Sequence, residues 1–190
     1  MKYLAALLAL FFIVAAASAE PVAPGERIPV DLRRTTLVVR DLDQSLRFYR
    51  DALGLTVIYD QLLGGNPDAE GGPVAPTTRL ALLRANDRFI GVLGLMQRLD
   101  TPAPPVPPLA KAQAGQAILV INAADLDTRF TRIREAPGVT VFSDPKPIQY
   151  PSADGKGHID VMFSAVWDPD GFFVEINKLL GAPAGSDAKD

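Results

Sequence analysis

The side chains that titrate near neutral pH, and so most readily move a proton there, are few in this chain. There is one histidine, His158, and no cysteine at all. Histidine is the usual general base and metal ligand at that pH, so His158, just after Gly155-Lys156-Gly157, is a candidate. The competing reading is a surface residue at a loop edge. A single histidine excludes metal centres built on three of them. The absence of cysteine excludes disulfides, thiolate nucleophiles and thiolate metal sites. In Phe173-Val174-Glu175-Ile176-Asn177 the alternation puts Phe173, Glu175 and Asn177 on one face of a strand, and Arg34, Thr36 and Val38 share a face in the same way. Phe89, Tyr150, Phe163, Trp167, Phe172 and Phe173 could stack on a flat ligand, though packing in a core is the commoner use of such residues. Arg79, Arg84 and Arg88 gather on one hairpin, as an attractor for an anion or as a solvated face. The pairs Gly64-Gly65 and Gly71-Gly72 lack the strand-to-helix setting of a phosphate loop, and there is no nucleophile elbow.

The elements that must position these groups come in two similar sets. The stretch from Thr35 through Arg40-Asp41-Leu42-Asp43 to Gly54 reads as strand, turn and helix, and Gln116 to Phe130 repeats it about eighty residues on with Asp125-Leu126-Asp127 at the turn. In the first set Leu32 to Val39 is a strand. Asp41 or Asp43 caps a helix whose Leu42, Leu46, Tyr49 and Leu53 fall on one side. Gly54 suits the left-handed position that ends it. Leu55 to Tyr59 is a second strand, Leu62 to Pro76 a long Gly/Pro-rich loop, and Thr78 to Arg84 with Arg88 to Gln97 a hairpin. Thr101 to Pro108 holds five prolines and predicts a stiff connector. In the second set the strand Ala117 to Asn122, the helix Leu126 to Glu135 and the strand Val139 to Phe142 come first. A loop from Pro145 to Gly157 and a closing hairpin, His158 to Trp167 and Phe172 to Lys178, complete it. Asp168-Pro169-Asp170-Gly171 makes the last turn, a structural role.

The ends read differently. Lys2, the apolar run Leu4 to Ala16 and Ala17-Ser18-Ala19 before Glu20 have the pattern of a secretory signal peptide, too short in its apolar part to span a bilayer. An uncleaved anchor is the rival reading. Residues 20–31 form a loose mature N-terminus and 180–190 a disordered tail. Loss of Lys2 changes the formal charge from −3 to −4, which speaks against nucleic acid or an anionic membrane surface as partner. The expected location is periplasmic or secreted.

Two consecutive βαβββ modules, the opening Val39-Arg40-Asp41-Leu42-Asp43 with Phe48-Tyr49-Arg50-Asp51-Ala52-Leu53-Gly54, and the ending Asp168-Pro169-Asp170-Gly171-Phe172-Phe173-Val174-Glu175-Ile176 resemble the vicinal oxygen chelate superfamily. Glyoxalase I, bleomycin-binding proteins, fosfomycin-resistance enzymes and extradiol dioxygenases belong to it. The resemblance implies an α+β domain over residues 32–179. Module one covers about 32–98, a proline-rich linker 101–114 and module two about 115–179, with curved sheets enclosing a cavity. Metal-dependent members place four ligands on the first and last strands of the two modules. Carried over, these fall at Arg34, Gly94, Gln116 and Glu175. A guanidinium cannot coordinate a cation and glycine has no side chain, so a divalent metal has at most Gln116 and Glu175. Iron-dependent ring cleavage, which takes two histidines and a carboxylate, is excluded by the single histidine.

Three readings follow from that resemblance. In the first, an exported lyase or isomerase acts on a small carbonyl compound, with Glu175 as the catalytic group. In the second, a metal-free protein binds a small molecule through Arg34, Gln116, Phe173 and Glu175, the Arg34 guanidinium paired with Glu175 where a metal would sit. In the third, an interaction module has a filled pocket. A small molecule is the expected partner, and a monomer or homodimer the expected assembly.

Overall fold

The computed structural model describes residues 22–65, 75–106 and 111–181. The expected leader, most of the first long loop and the C-terminal tail lie outside them. Within them the order is β1 (Arg34–Val39), α1 (Leu42–Leu46) continuing as a wider π-helical segment (Arg47–Ala52), β2 (Thr56–Leu63), β3 (Thr78–Arg84) and β4 (Val92–Arg98). The second set is β5 (Ile118–Asn122), α2 (Leu126–Glu135), β6 (Thr140–Pro151), β7 (His158–Trp167) and β8 (Phe173–Leu179). Each set makes one four-stranded mixed sheet, ordered β1-β4-β3-β2 and β5-β8-β7-β6. In each, the first strand runs parallel to the last and the rest are antiparallel. This is the expected α+β pair of βαβββ modules.

Local chemistry accounts for the helices. The Asp41 carboxylate accepts the Gln44 backbone N–H at 3.0 Å and so caps α1. Leu42, Leu46, Tyr49 and Leu53 are all buried, as their spacing predicts. Gly54 follows with φ +79°, the left-handed conformation in which a side chain is strained. The Arg129 guanidinium donates to the freed Leu53 carbonyl at 2.6 Å, so the second module's helix finishes the first module's.

The two sheets share one core. Leu37 and Val39 of β1, Leu93 and Leu95 of β4, and Phe48 and Tyr49 of the first helix pack with Phe130 and Ile133 of α2 and Val174 and Ile176 of β8. Each fully buried side chain of this size contributes about 1.5–3 kcal/mol, so the shared core is the main force joining the modules.

Polar groups then fix how the modules meet. The turn Asp168-Pro169-Asp170-Gly171 receives the start of α1: the Arg40 N–H donates to Asp170 at 2.8 Å and the Ser45 hydroxyl at 2.9 Å. The Tyr49 hydroxyl donates to Asp168 at 2.8 Å. Asp168 also accepts the backbone N–H groups of Asp170 and Phe172, which shape the turn itself. Burial pushes the Asp168 carboxyl up to about 6 and is also the main cause that raises the Tyr49 phenol.

One expectation is corrected. Pro145 to Pro151, expected as loop, continues β6, a strand of twelve residues with two register shifts. β6 is the edge of its sheet, where a missing proline N–H leaves no sheet hydrogen bond unmade. The loop that remains is 152–157.

Candidate functional site

With Leu37 and Val39 on the core side of β1 and Val174 and Ile176 on the core side of β8, alternation turns Arg34, Thr36 and Val38, and Phe173, Glu175 and Asn177, to the opposite face. That face is open along β1 and β5, where Val38 is 54% exposed and Val120 66%, whereas Phe173 and Asn177 of β8 are buried.

Sheet register locates the positions that metal ligands occupy in related folds. In the first sheet Arg34 lies opposite Val92 and Thr36 opposite Gly94. In the second, Ile118 lies opposite Phe173 and Val120 opposite Glu175. The counterpart of Gly94 is therefore Glu175, and the counterpart of Arg34 is Ile118. Gln116 lies ahead of β5, exposed, its side-chain oxygen accepting the Gln113 N–H at 2.9 Å. A sequence signal points to Ile118: seven residues back from Asp41 is Arg34, and seven back from Asp125 is Ile118.

At these four positions a guanidinium, a glycine, an isoleucine and a carboxylate leave one metal-ligating side chain, Glu175. The room at Gly94 is also taken, since a Cβ built there would come within 2.6 Å of the Thr36 hydroxyl oxygen and 3.2 Å of its Cβ. A catalytic metal ordinarily takes about three protein ligands, and among the described residues no three His, Cys, Asp or Glu side chains cluster to hold one. The residues do not fit a glyoxalase-type metal.

Around Glu175 the second sheet is aromatic. Phe173 is buried and packs edge-to-face on Trp167, with ring centroids 4.8 Å apart, and on Phe142 at 5.1 Å. Ala165, directly opposite Glu175 on β7, keeps the space beside the carboxylate free of a large side chain. Lys146 lies over the Phe163 ring at 6.0 Å. The Tyr150 phenol is raised by burial first and by the Glu175 charge second. The half-buried Glu175 has one polar contact among the described residues, the Asn177 amide at 3.4 Å. Such a face can take hydrogen bonds or a positive charge from a ligand at Glu175 and hold a flat body against the rings.

The other candidates are distributed elsewhere. No ion pair joins Arg34 to Glu175 among the described residues; Arg34 instead lines a cleft where the edge strands β1 and β5 approach. His158 is exposed and lies 3.5 Å from Asp160. Arg79 is engaged by Asp60 and Asp43 at 2.8 and 2.9 Å, which removes it as a free anion attractor. The extension of β6 through Tyr150 escapes a reading of the sequence, in which the prolines suggest a loop.

A family model described as the Glyoxalase/Bleomycin resistance protein/Dioxygenase superfamily matches residues 31–176. The paired βαβββ modules and that match define the class: the chain belongs to this superfamily. Among solved structures it is similar to a glyoxalase family protein from Bacillus cereus, with 16% identity over 84% of this chain and 100% of that one, TM-score 0.59. The trypanothione-dependent glyoxalase I of Leishmania major is 19% identical over 78% of this chain and 86% of that one, TM-score 0.52. Glyoxalase I of Zea mays is 20% identical, TM-score 0.52, over 77% of this chain and only 45% of the maize chain. At these identities the likeness shows the fold. No curated protein sequence matches the chain.

Proposed function

We propose that this chain is a metal-independent small-molecule-binding member of its superfamily, holding its ligand on the face of the second sheet that carries Glu175. The observation that carries this reading is the ligand set: Arg34, Gly94 and Ile118 offer a cation nothing, and Thr36 occupies the room where a carboxylate at position 94 would sit. The aromatic surroundings of Glu175 support a flat ligand that presents a donor to the carboxylate. A lyase or isomerase acting on a carbonyl compound is the second reading. The half-buried Glu175, with only one weak polar contact among the described residues, favours it, because proton transfer by a carboxylate does not itself require a metal. The leader-like residues 1–19 support action outside the cytoplasm. Mass spectrometry of the exported protein is expected to find Glu20 as its first residue, and an intact Met1 would remove that part of the reading.

The test of binding uses the mature chain, residues 20–190, exposed to Ni²⁺, Zn²⁺, Mn²⁺ and Fe²⁺ and then dialysed. Both it and Glu175→Ala are expected to retain far less than one metal per chain. Near-stoichiometric metal that Glu175→Ala loses would overturn the proposal. Trp167 is the only tryptophan and stands in this face, so its fluorescence reports ligand binding directly. A flat amine that quenches it is expected to do so more weakly with Glu175→Gln.

A further inference from the structure

The two modules repeat one another, yet the two junctions between them are built differently. Leu83 lies opposite Leu93 in the first sheet and Val166 opposite Val174 in the second, so Ala85 stands where Asp168 does. Eight residues beyond the capping positions Asp41 and Asp125 come Tyr49 and Ile133. The buried Tyr49–Asp168 hydrogen bond therefore has an isoleucine and an alanine as its counterparts. The first junction is filled by Asp168 and Asp170 and their partners. Beside the second, at Ala85, a cavity of about 280 Å³ opens between the starts of β1 and β4, the end of β3 and the length of β5.

Its lining defines what it can hold. Leu32, Leu55, Leu83, Leu93, Leu119 and Ile121 make most of the wall apolar. Among the lining residues Arg34, at the exposed start of β1, is the one that is ionisable and Asn122 the one amide. Arg34 has no ion-pair or hydrogen-bond partner among the described residues, and no carboxylate lines the space. A cavity near 300 Å³ is at the small end of ligand sites. A planar guanidinium at an apolar opening suits a carboxylate, which it can grip through two parallel hydrogen bonds.

We propose that the junction cavity is a second binding site, separate from the Glu175 face, for a small amphipathic carboxylate: its compact apolar body fills the space between the modules and its anionic group meets Arg34. The site owes its existence to the unequal repeat, because the counterpart of Asp168 is too small to fill the junction.

Calorimetric titration of the mature chain with 2-naphthoate, and with the neutral 2-naphthamide, tests this. 2-Naphthoate is expected to bind one to one, and Arg34→Gln to weaken it at least about tenfold, the scale of a lost charge-assisted hydrogen bond, while changing 2-naphthamide little. Ala85→Leu, which reaches into the space from an exposed turn, is expected to abolish both, with an unchanged thermal melt showing that the fold is intact. Glu175→Gln is expected to leave both unaltered, which separates this site from the one proposed above. Equal 2-naphthoate affinity in wild type and Arg34→Gln would overturn the inference. So would loss of binding in Glu175→Gln, or no binding at millimolar concentration.

Discussion

Asp168 and Glu175 are seven residues apart on one hairpin, and their surroundings give them opposite roles. Asp168 is almost fully buried and its acceptor sites are taken by Tyr49 and the turn backbone. Glu175 is half-buried, with a single weak contact. The first carboxylate holds the molecule together; the second is the one that the proposed function assigns to a ligand. Burial pushes the Asp168 carboxyl up to about 6, whereas an unfolded chain titrates it near 4. Between those values the folded state keeps a proton that the unfolded state has released, so unfolding sheds protons there. The stabilising effect of this group is therefore present in full below about pH 4 and is lost as pH rises to about 6. Urea melts of wild type and Asp168→Asn at pH 4 and pH 7 check this. The stability of the wild type relative to the variant is expected to fall across that range, by at most about 3 kcal/mol.

At the scale of elements, the pairing of β1 with β4 closes the old ligand position. Thr36 leans over Gly94 so closely that even a methyl group there must push it aside. Gly94→Ala is expected to cost about 1–3 kcal/mol by overpacking. Gly94→Ala with Thr36→Ala is expected to lose less than the sum of the two, since removing the hydroxyl and methyl relieves the collision. Thermal melts of the two single variants and the double variant measure the difference, and strict additivity would mean the two side chains do not compete. The same scale explains β6. Its prolines suggest a loop when read one by one, but the strand borders only β7 and tolerates them.

For the whole molecule, the core is common property. Residues of both sheets and both helices form one buried cluster, and the Arg129 guanidinium completes the first module's helix from the second. A fragment limited to residues 31–106 would leave half of that apolar surface wet. It is expected to show no cooperative thermal transition, whereas the chain 20–190 shows one; circular dichroism melts distinguish them. A cooperative fragment would mean that the modules fold independently and merely dock. No helix among the described residues is long and apolar enough to cross a membrane.

Short-range chemistry was legible in the residues alone: the Asp41 cap, the buried stripe of α1, the turn at Gly54, the extent of α2 and the repeat that predicts two βαβββ modules. Each depends on neighbours three or four places away, and spacing records that directly. The two faces of β1 and β8 were legible too, because alternation needs no knowledge of the partner strand. Register across sheets was not. Ile118 rather than Gln116 as the counterpart of Arg34, Thr36 over Gly94, and Ala165 opposite Glu175 all depend on which strand lies next to which, and a shift of one or two residues changes the answer. The absence of an Arg34–Glu175 ion pair among the described residues is of the same kind: both residues occupy the expected faces of their strands, but which groups then meet is decided by how the two modules pack around their common core.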